Sequence, residues 1–159
     1  MTVDTKHGII TGGDCYPANR RESDIILKRL KNQPCSYKEI ALDGGYDIGA
    51  VHRGLEILMI NGYTAIREFQ NNAMKKGFLY DEEKDSFVCT QGKHLEFQKS
   101  IYKKSTQNYY RLYSCVKKEC KTCPHFSSCA TDLGTVRINA SAYYPSFYRN
   151  SQKVGMEII

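Results

Sequence analysis

The chain has 159 residues, 41% hydrophobic and 25% charged; this suits one buried core with at most a small satellite module, and no run of about 18 apolar residues is present, so no membrane span is expected. The start, Met1-Thr2-Val3-Asp4, lacks the basic and apolar regions of a secretory signal, and seven cysteines, an odd number, argue for a reducing, cytoplasmic setting over a disulfide framework. The net charge of +6 is uneven: residues 1–68 carry nine Lys/Arg and nine Asp/Glu, whereas residues 69–130 carry eleven against six, which points to a polyanionic partner for the second half.

His7-Gly8-Ile9-Ile10-Thr11 is short and β-branched, a strand broken by Gly12-Gly13 and Pro17. Asn19 and Glu22 have the spacing of a capping box, Ile26, Leu27 and Leu30 supply the apolar face of a helix, and Pro34 stops it. Ile40-Ala41-Leu42 is a strand too uniformly apolar for a wet face, and it delivers Asp43 to its C-terminal end before Gly44-Gly45. Asp47 is placed as an N-cap, and Ile48, Val51, Leu55, Leu58 and Met59 repeat at helical spacing until Asn61-Gly62. Tyr63-Thr64-Ala65-Ile66 is one more strand, and the strand-helix alternation predicts a parallel α/β sheet built around the Asp43 strand.

Near Phe69 the pattern becomes β-rich. Phe78-Leu79-Tyr80 and Ser86-Phe87-Val88-Cys89 flank the charged turn of a hairpin, and Leu95-Glu96-Phe97, Tyr109-Tyr110-Arg111-Leu112-Tyr113 and Thr135-Val136-Arg137-Ile138-Asn139 predict three more strands. Within this half Cys120-Lys121-Thr122-Cys123 is a CxxC pair and Cys129 follows, with Cys89, Cys115 or His125 as a fourth donor. Thiolates at that spacing grip one tetrahedral Zn²⁺, whose binding adds folding free energy to a small β module. Iron–sulfur ligation fits the spacing less well, and a redox role for the CxxC pair is a further alternative. The aromatic clusters Tyr109-Tyr110-Leu112-Tyr113 and Tyr143-Tyr144-Phe147-Tyr148, with Arg111 and Arg149, suit either base stacking or core packing. His7, His52 and His94 stand isolated in sequence. Asp43 alone reads as a strand terminator or as one carboxylate ligand of Mg²⁺; Asp4, Asp14 and Asp24 offer no obvious partner.

Taken in order, residues 3–11, then Pro17-Ala18-Asn19-Arg20-Arg21-Glu22-Ser23, then Leu42-Asp43-Gly44-Gly45-Tyr46-Asp47, then residues 78–81, Phe87-Val88-Cys89 with Gly92-Lys93, and the cysteines 120, 123 and 129 resemble bacterial insertion-sequence transposases of the DDE type. The resemblance spans about residues 3 to 140. It departs from the family at Ala18, where a glycine is common, and at Glu22, where an Asp is common. It implies an RNase H-like catalytic domain that binds Mg²⁺ or Mn²⁺ through two Asp and one Glu, cuts transposon ends and joins them to target DNA. Asp43 matches the second Asp, and Cys89, Cys120, Cys123 and Cys129 match the recurring cysteines.

The division implied is a partial RNase H-like α/β core (mixed sheet, flanking helices) over 1–68, a basic cysteine-containing β-rich insertion over 69–140, and a tail over 141–159. The first Asp is expected upstream of Val3 and the Glu near or beyond Ile159; Glu157 does not sit in that helix pattern. A transposase fragment truncated at both ends, inactive alone, DNA-binding and open to homodimer formation, is therefore expected. The alternative is a non-catalytic, zinc-stabilised nucleic-acid-binding module.

Overall fold

The structure, a computed structural model, describes residues 2–33, 36–66, 77–105, 108–115, 120–130 and 134–155. The expected helix stop at Pro34, the boundary at 68 and Glu157 lie outside the described residues. The fold is mixed α/β: among the described residues there are two two-stranded sheets, one five-stranded antiparallel sheet and four α-helices. No helix among the described residues is long and apolar enough to cross a membrane.

The first strands form a hairpin of their own. β1 (Thr2–Val3) pairs antiparallel with β2 (Ile10–Gly12), closed by Gly8 N–H donating to the Asp4 carbonyl with Gly8 at φ 67°. The expected strand at 7–11 therefore starts later, and it does not join the strand that carries Asp43. Its Ile9 and Ile10 stay 61% and 62% exposed.

The next unit is a β-α-β crossover flanked by a helix. α1 (Ile26–Asn32) buries Ile26 and Leu30; β3 (Glu39–Leu42) and β4 (Asn61–Thr64) pair in parallel, with α2 (Gly49–Ile57) between them burying Val51 and Leu55. Gly54 lets the helices approach, since a Cβ there would fall 2.3 Å from Leu27 Cδ1. β3 is not uniformly buried as expected: Glu39 and Ala41 are exposed while Ile40 and Leu42 pack on the helices, because among the described residues β4 is its one partner and only one face is covered. Helix α2 closes through Met59, which takes the left-handed conformation at φ 56°; Asn61 and Gly62 are the first residues of β4 rather than the helix stop.

The capping expectations also change. Neither α1 nor α2 has a side-chain cap. Glu22 instead accepts from Tyr46 OH at 2.9 Å, and Asp47 pairs with His52 Nε2 at 2.8 Å inside the protein. Both carboxylates found partners on distant or buried groups, which local spacing does not display.

The second half is an antiparallel meander: β5 (Leu79–Asp81), β6 (Ser86–Val88), β7 (His94–Lys103), β8 (Asn108–Ser114) and β9 (Arg137–Ser141), neighbours in chain order. α3 (Phe126–Cys129) is a single turn between β8 and β9. Phe87, Leu95 and Tyr113 are fully buried at its centre, with Phe87 and Tyr113 edge to face at 4.9 Å between centroids. The charged turn of the β5–β6 hairpin is tied in: Asp85 accepts from Tyr80 OH at 2.7 Å and Tyr113 OH at 2.8 Å, and Arg111 pairs with its other oxygen. Burial first, then the bond to Asp85, pushes the Tyr80 hydroxyl far above its usual range.

The stretch expected as a tail contains α4 (Tyr144–Lys153), which packs aromatic residues on the meander core. Its Tyr144 lies in the meander core, while its other face docks on α2 and β4. Arg149 donates to both Glu56 oxygens at 2.6 and 2.8 Å and to Glu82 at 2.6 Å; Ser146 Oγ also donates to Glu56 at 2.7 Å. Burial raises the Glu56 pKa, but the Arg149 and Ser146 hydrogen bonds and the Arg149 charge outweigh it and bring it down to about 2. The Asn150 amide brackets Thr64, accepting its N–H and donating to its carbonyl, each at 3.0 Å.

Candidate functional site

Asp43 stands where β3 ends, at the carboxyl edge of the parallel pair. Its backbone stays extended (φ −73°, ψ 171°), and one carboxylate oxygen accepts the Gly45 N–H at 2.6 Å, capping the 3-10 turn Gly44–Tyr46. The side chain is exposed. The cap occupies one oxygen, and the exposed carboxylate can serve as a single ligand leg. Two of the other acids singled out in the sequence have partners elsewhere. Asp4 pairs with His7 at 2.6 Å, and that bond first, then the Lys6 N–H, lowers its pKa. Asp14 lies 3.0 Å from Arg29 Nε, close enough for attraction but off the hydrogen-bonding direction. Asp24 belongs to the 3-10 turn Glu22–Asp24.

Glu22, Tyr46 and Arg29 are the neighbours that spacing did not reveal. The Tyr46 hydroxyl is pushed up to about 12, by burial first, then by its bond to Glu22 and the negative charges of Glu22 and Asp43, with Arg29 opposing. This places two carboxylates and a guanidinium in electrostatic reach of one phenol near the end of β3. The signal for it in the sequence is Glu22, which capping-box spacing pairs with Asn19 rather than with Tyr46.

The second constellation is the cysteines. Cys89, Cys120, Cys123 and Cys129, with His125, line one small apolar-walled cavity of about 30 Å³ beneath Phe78, Leu95 and Val136. Cys89 sits in the turn between β6 and β7, where Gly92 takes φ 71° and the Lys93 N–H points at Cys89 Sγ at 3.4 Å. The CxxC segment is a tight turn, with Cys123 N–H donating to the Cys120 carbonyl at 3.1 Å and Phe126 N–H to that of Cys123 at 3.0 Å; α3 then brings Cys129 round. Two features run against the expected four-thiolate site. Cys120 forms a disulfide with Cys115, contrary to an all-thiol chain, and in that state it has no thiolate to give. No group of three or more His, Cys, Asp or Glu among the described residues is arranged to hold a metal ion. The donors thus share a cavity, and a site that includes Cys120 needs the disulfide reduced.

No family model, no curated protein and no solved structure matches this chain.

The remaining candidates divide by burial. Tyr113 and Tyr144 are core residues, and Arg111 and Arg149 are tied to Asp85 and to Glu56 and Glu82, which assigns most of both aromatic clusters to packing. Tyr102 and Tyr109 stay exposed at the far end of β7 and β8. None of the three histidines is isolated: His7 meets Asp4, His52 meets Asp47 and lies edge-on to Phe147, and His94 meets Ser86.

Proposed function

We propose that this chain is part of a DDE-type DNA transposase, a metal-dependent enzyme of DNA strand cleavage and transfer, with Asp43 as one of its three metal-ligating acids. The observation that carries the reading is the exposed Asp43 carboxylate at the carboxyl end of a strand in a parallel pair, the edge at which open α/β sheets bind ligands. A pair of Mg²⁺ or Mn²⁺ ions clamps the attacking and leaving oxygens when bound, and such a pair needs several carboxylates. Asp43 supplies one leg, so strand cleavage by this chain alone is not expected. Two measurements test this. Incubation with duplex DNA and Mg²⁺ or Mn²⁺ is expected to leave the DNA intact; turnover abolished by Asp43→Ala would overturn the one-leg assignment. Sequencing around the gene is expected to find an Asp-bearing strand encoded upstream and a Glu-bearing helix downstream; unrelated genes on both sides would overturn the transposase reading.

A second reading, a non-catalytic zinc-stabilised nucleic-acid-binding module, is favoured by the convergence of Cys89, Cys120, Cys123 and Cys129 on one cavity. In it the reduced chain holds one Zn²⁺ through these four thiolates, and the metal contributes folding free energy to the meander. Zinc analysis of reduced protein is expected to give one ion per chain, released in the Cys123→Ser variant and with a lowered melting temperature on chelation. A reduced chain that carries no zinc and melts identically with and without chelator contradicts it.

A further inference from the structure

We propose that Cys115 is a redox-sensing thiol. A small disulfide such as oxidised glutathione reacts with it from an adjoining cleft, and the Cys115–Cys120 bond that results withdraws Cys120 from the zinc site. The inference rests on the zinc reading above for the metal, and on the following features for the sensing pair. Cys120 borders two small cavities. One, of about 30 Å³, also collects Cys89, Cys123 and Cys129. The other, of about 50 Å³, holds Cys115 beside Ser114 and Thr135. Phe126 and Val136 border both along with Cys120. The Cys120 sulfur therefore has a choice of partners, and it can serve only one: a sulfur held in a disulfide has no thiolate to give a metal. In this structure its partner is Cys115.

Cys115 is the member of the pair that an oxidant reaches first. Cys120 is 9% exposed, whereas Cys115, the residue after β8, is half-buried. Cys115 also borders an open polar cleft of about 530 Å³ beside Lys93, His94, Glu96 and Gln98. That volume is in the range of small-molecule sites. Its lining presents a cation and an anion, which suit the carboxylates and the ammonium of a glutathione half. Among the described lining residues Cys115 is its one cysteine. Accessible disulfides are the labile, regulatory ones, whereas enclosed ones resist reduction.

The exchange balances with one molecule of oxidised glutathione. The Cys115 thiolate attacks one of its sulfurs, forms a mixed disulfide and expels the first glutathione thiolate. The Cys120 sulfur then attacks the Cys115 sulfur, closes the Cys115–Cys120 bond and expels the second. Two electrons pass from the cysteines to glutathione. The Cys115 proton goes to one leaving thiolate by way of solvent, and solvent protonates the other. Cys89, Cys123 and Cys129 alone are one thiolate short of the tetrahedral set, so zinc affinity falls. Excess reduced thiol runs the exchange backward and returns Cys120 to the site.

The test loads the reduced full chain with Zn²⁺, adds oxidised glutathione and follows zinc release with a chromophoric chelator. The wild type is expected to release its zinc, to regain it after treatment with dithiothreitol, and to yield on proteolysis a cross-linked peptide pair joining Cys115 to Cys120. Cys115→Ser is expected to hold zinc as the wild type does when reduced, and to release it about 10-fold more slowly in oxidised glutathione, because Cys120 has lost its partner. Cys15→Ser, which removes an exposed thiol outside the cluster, is expected to behave as the wild type. A reduced wild type that binds no zinc defeats the zinc reading, and the proposal with it, at the first step. With zinc bound, that reading stands and the proposal alone is overturned by any of three results. The metal stays in place after oxidation, as it would if His125 in the same cavity took the fourth position. Cys115→Ser releases zinc as fast as the wild type. The peptides show Cys120 joined to Cys123 instead. The cross-link is read on the wild type, so the decision does not depend on a variant that folds.

Discussion

The meander and the β-α-β unit bury their apolar residues to different degrees. In the meander Phe87, Leu95 and Tyr113 are wholly enclosed, and four strand interfaces support them. Around β3 and β4 a single strand interface and two helices enclose five buried apolar side chains, while Ile57 and Met59 remain 66% and 89% exposed. Burial of apolar area is the main favourable term in folding. The meander is thus the self-sufficient part, and the half that carries Asp43 borrows order through α4. Local opening of the less enclosed half is expected to cost less than global unfolding.

The contrast can be broken most forcefully at the two cores. Phe87→Ala is expected to cost about 3–5 kcal/mol and Leu55→Ala about 2–3 kcal/mol in urea unfolding, with amide exchange fastest in the β3–β4 region. Equal costs together with uniform exchange protection would contradict the difference. A smaller effect is expected at the link between the halves. Arg149→Met removes the two-pronged guanidinium contact and leaves Glu56 the Arg53 guanidinium at 3.2 Å, and a double-mutant cycle of Arg149→Met with Glu56→Gln is expected to give a coupling of about 1 kcal/mol, allowing for the partial exposure of both groups.

The same pair sets a pH dependence. The Glu56 pKa falls on folding from 4.5 to about 2, so its contribution is complete above about pH 4.5 and is lost as pH falls toward 2. The acid limb of the stability curve is therefore expected to flatten in Glu56→Gln; an unchanged limb excludes this group as its source. The least change is expected at Met59, whose left-handed backbone suits glycine and whose exposed side chain packs against little. Met59→Gly is expected to stabilise the protein by up to about 1 kcal/mol, read as a small rise in melting temperature.

What the sequence displayed well was local. The β5–β6 hairpin was visible because short apolar runs flank a charged turn, and α2 because Val51 and Leu55 repeat at helical spacing. The cysteine cavity was visible because CxxC spacing and a tight turn are the same fact stated twice. Long-range partners were hidden: Glu22 and Asp47 looked like caps, yet their oxygens go to Tyr46 and His52. The reach of β7 out to Lys103 was hidden too, since Gln98 to Lys103 carries almost no apolar alternation. The Cys115–Cys120 bond depends on where β8 ends, which spacing alone does not reveal.

One consequence follows from the Asn150 amide. In a parallel pair alternate residues of β4 point their N–H and C=O away from β3, and Thr64 is one of these, since Ala65 N–H goes to Leu42. By filling both Thr64 groups, Asn150 plugs the outer margin of β4 with a side chain acting as a surrogate strand. Growth of this sheet is then directional. A further strand running parallel beside β3 would bring its own carboxyl end next to Asp43.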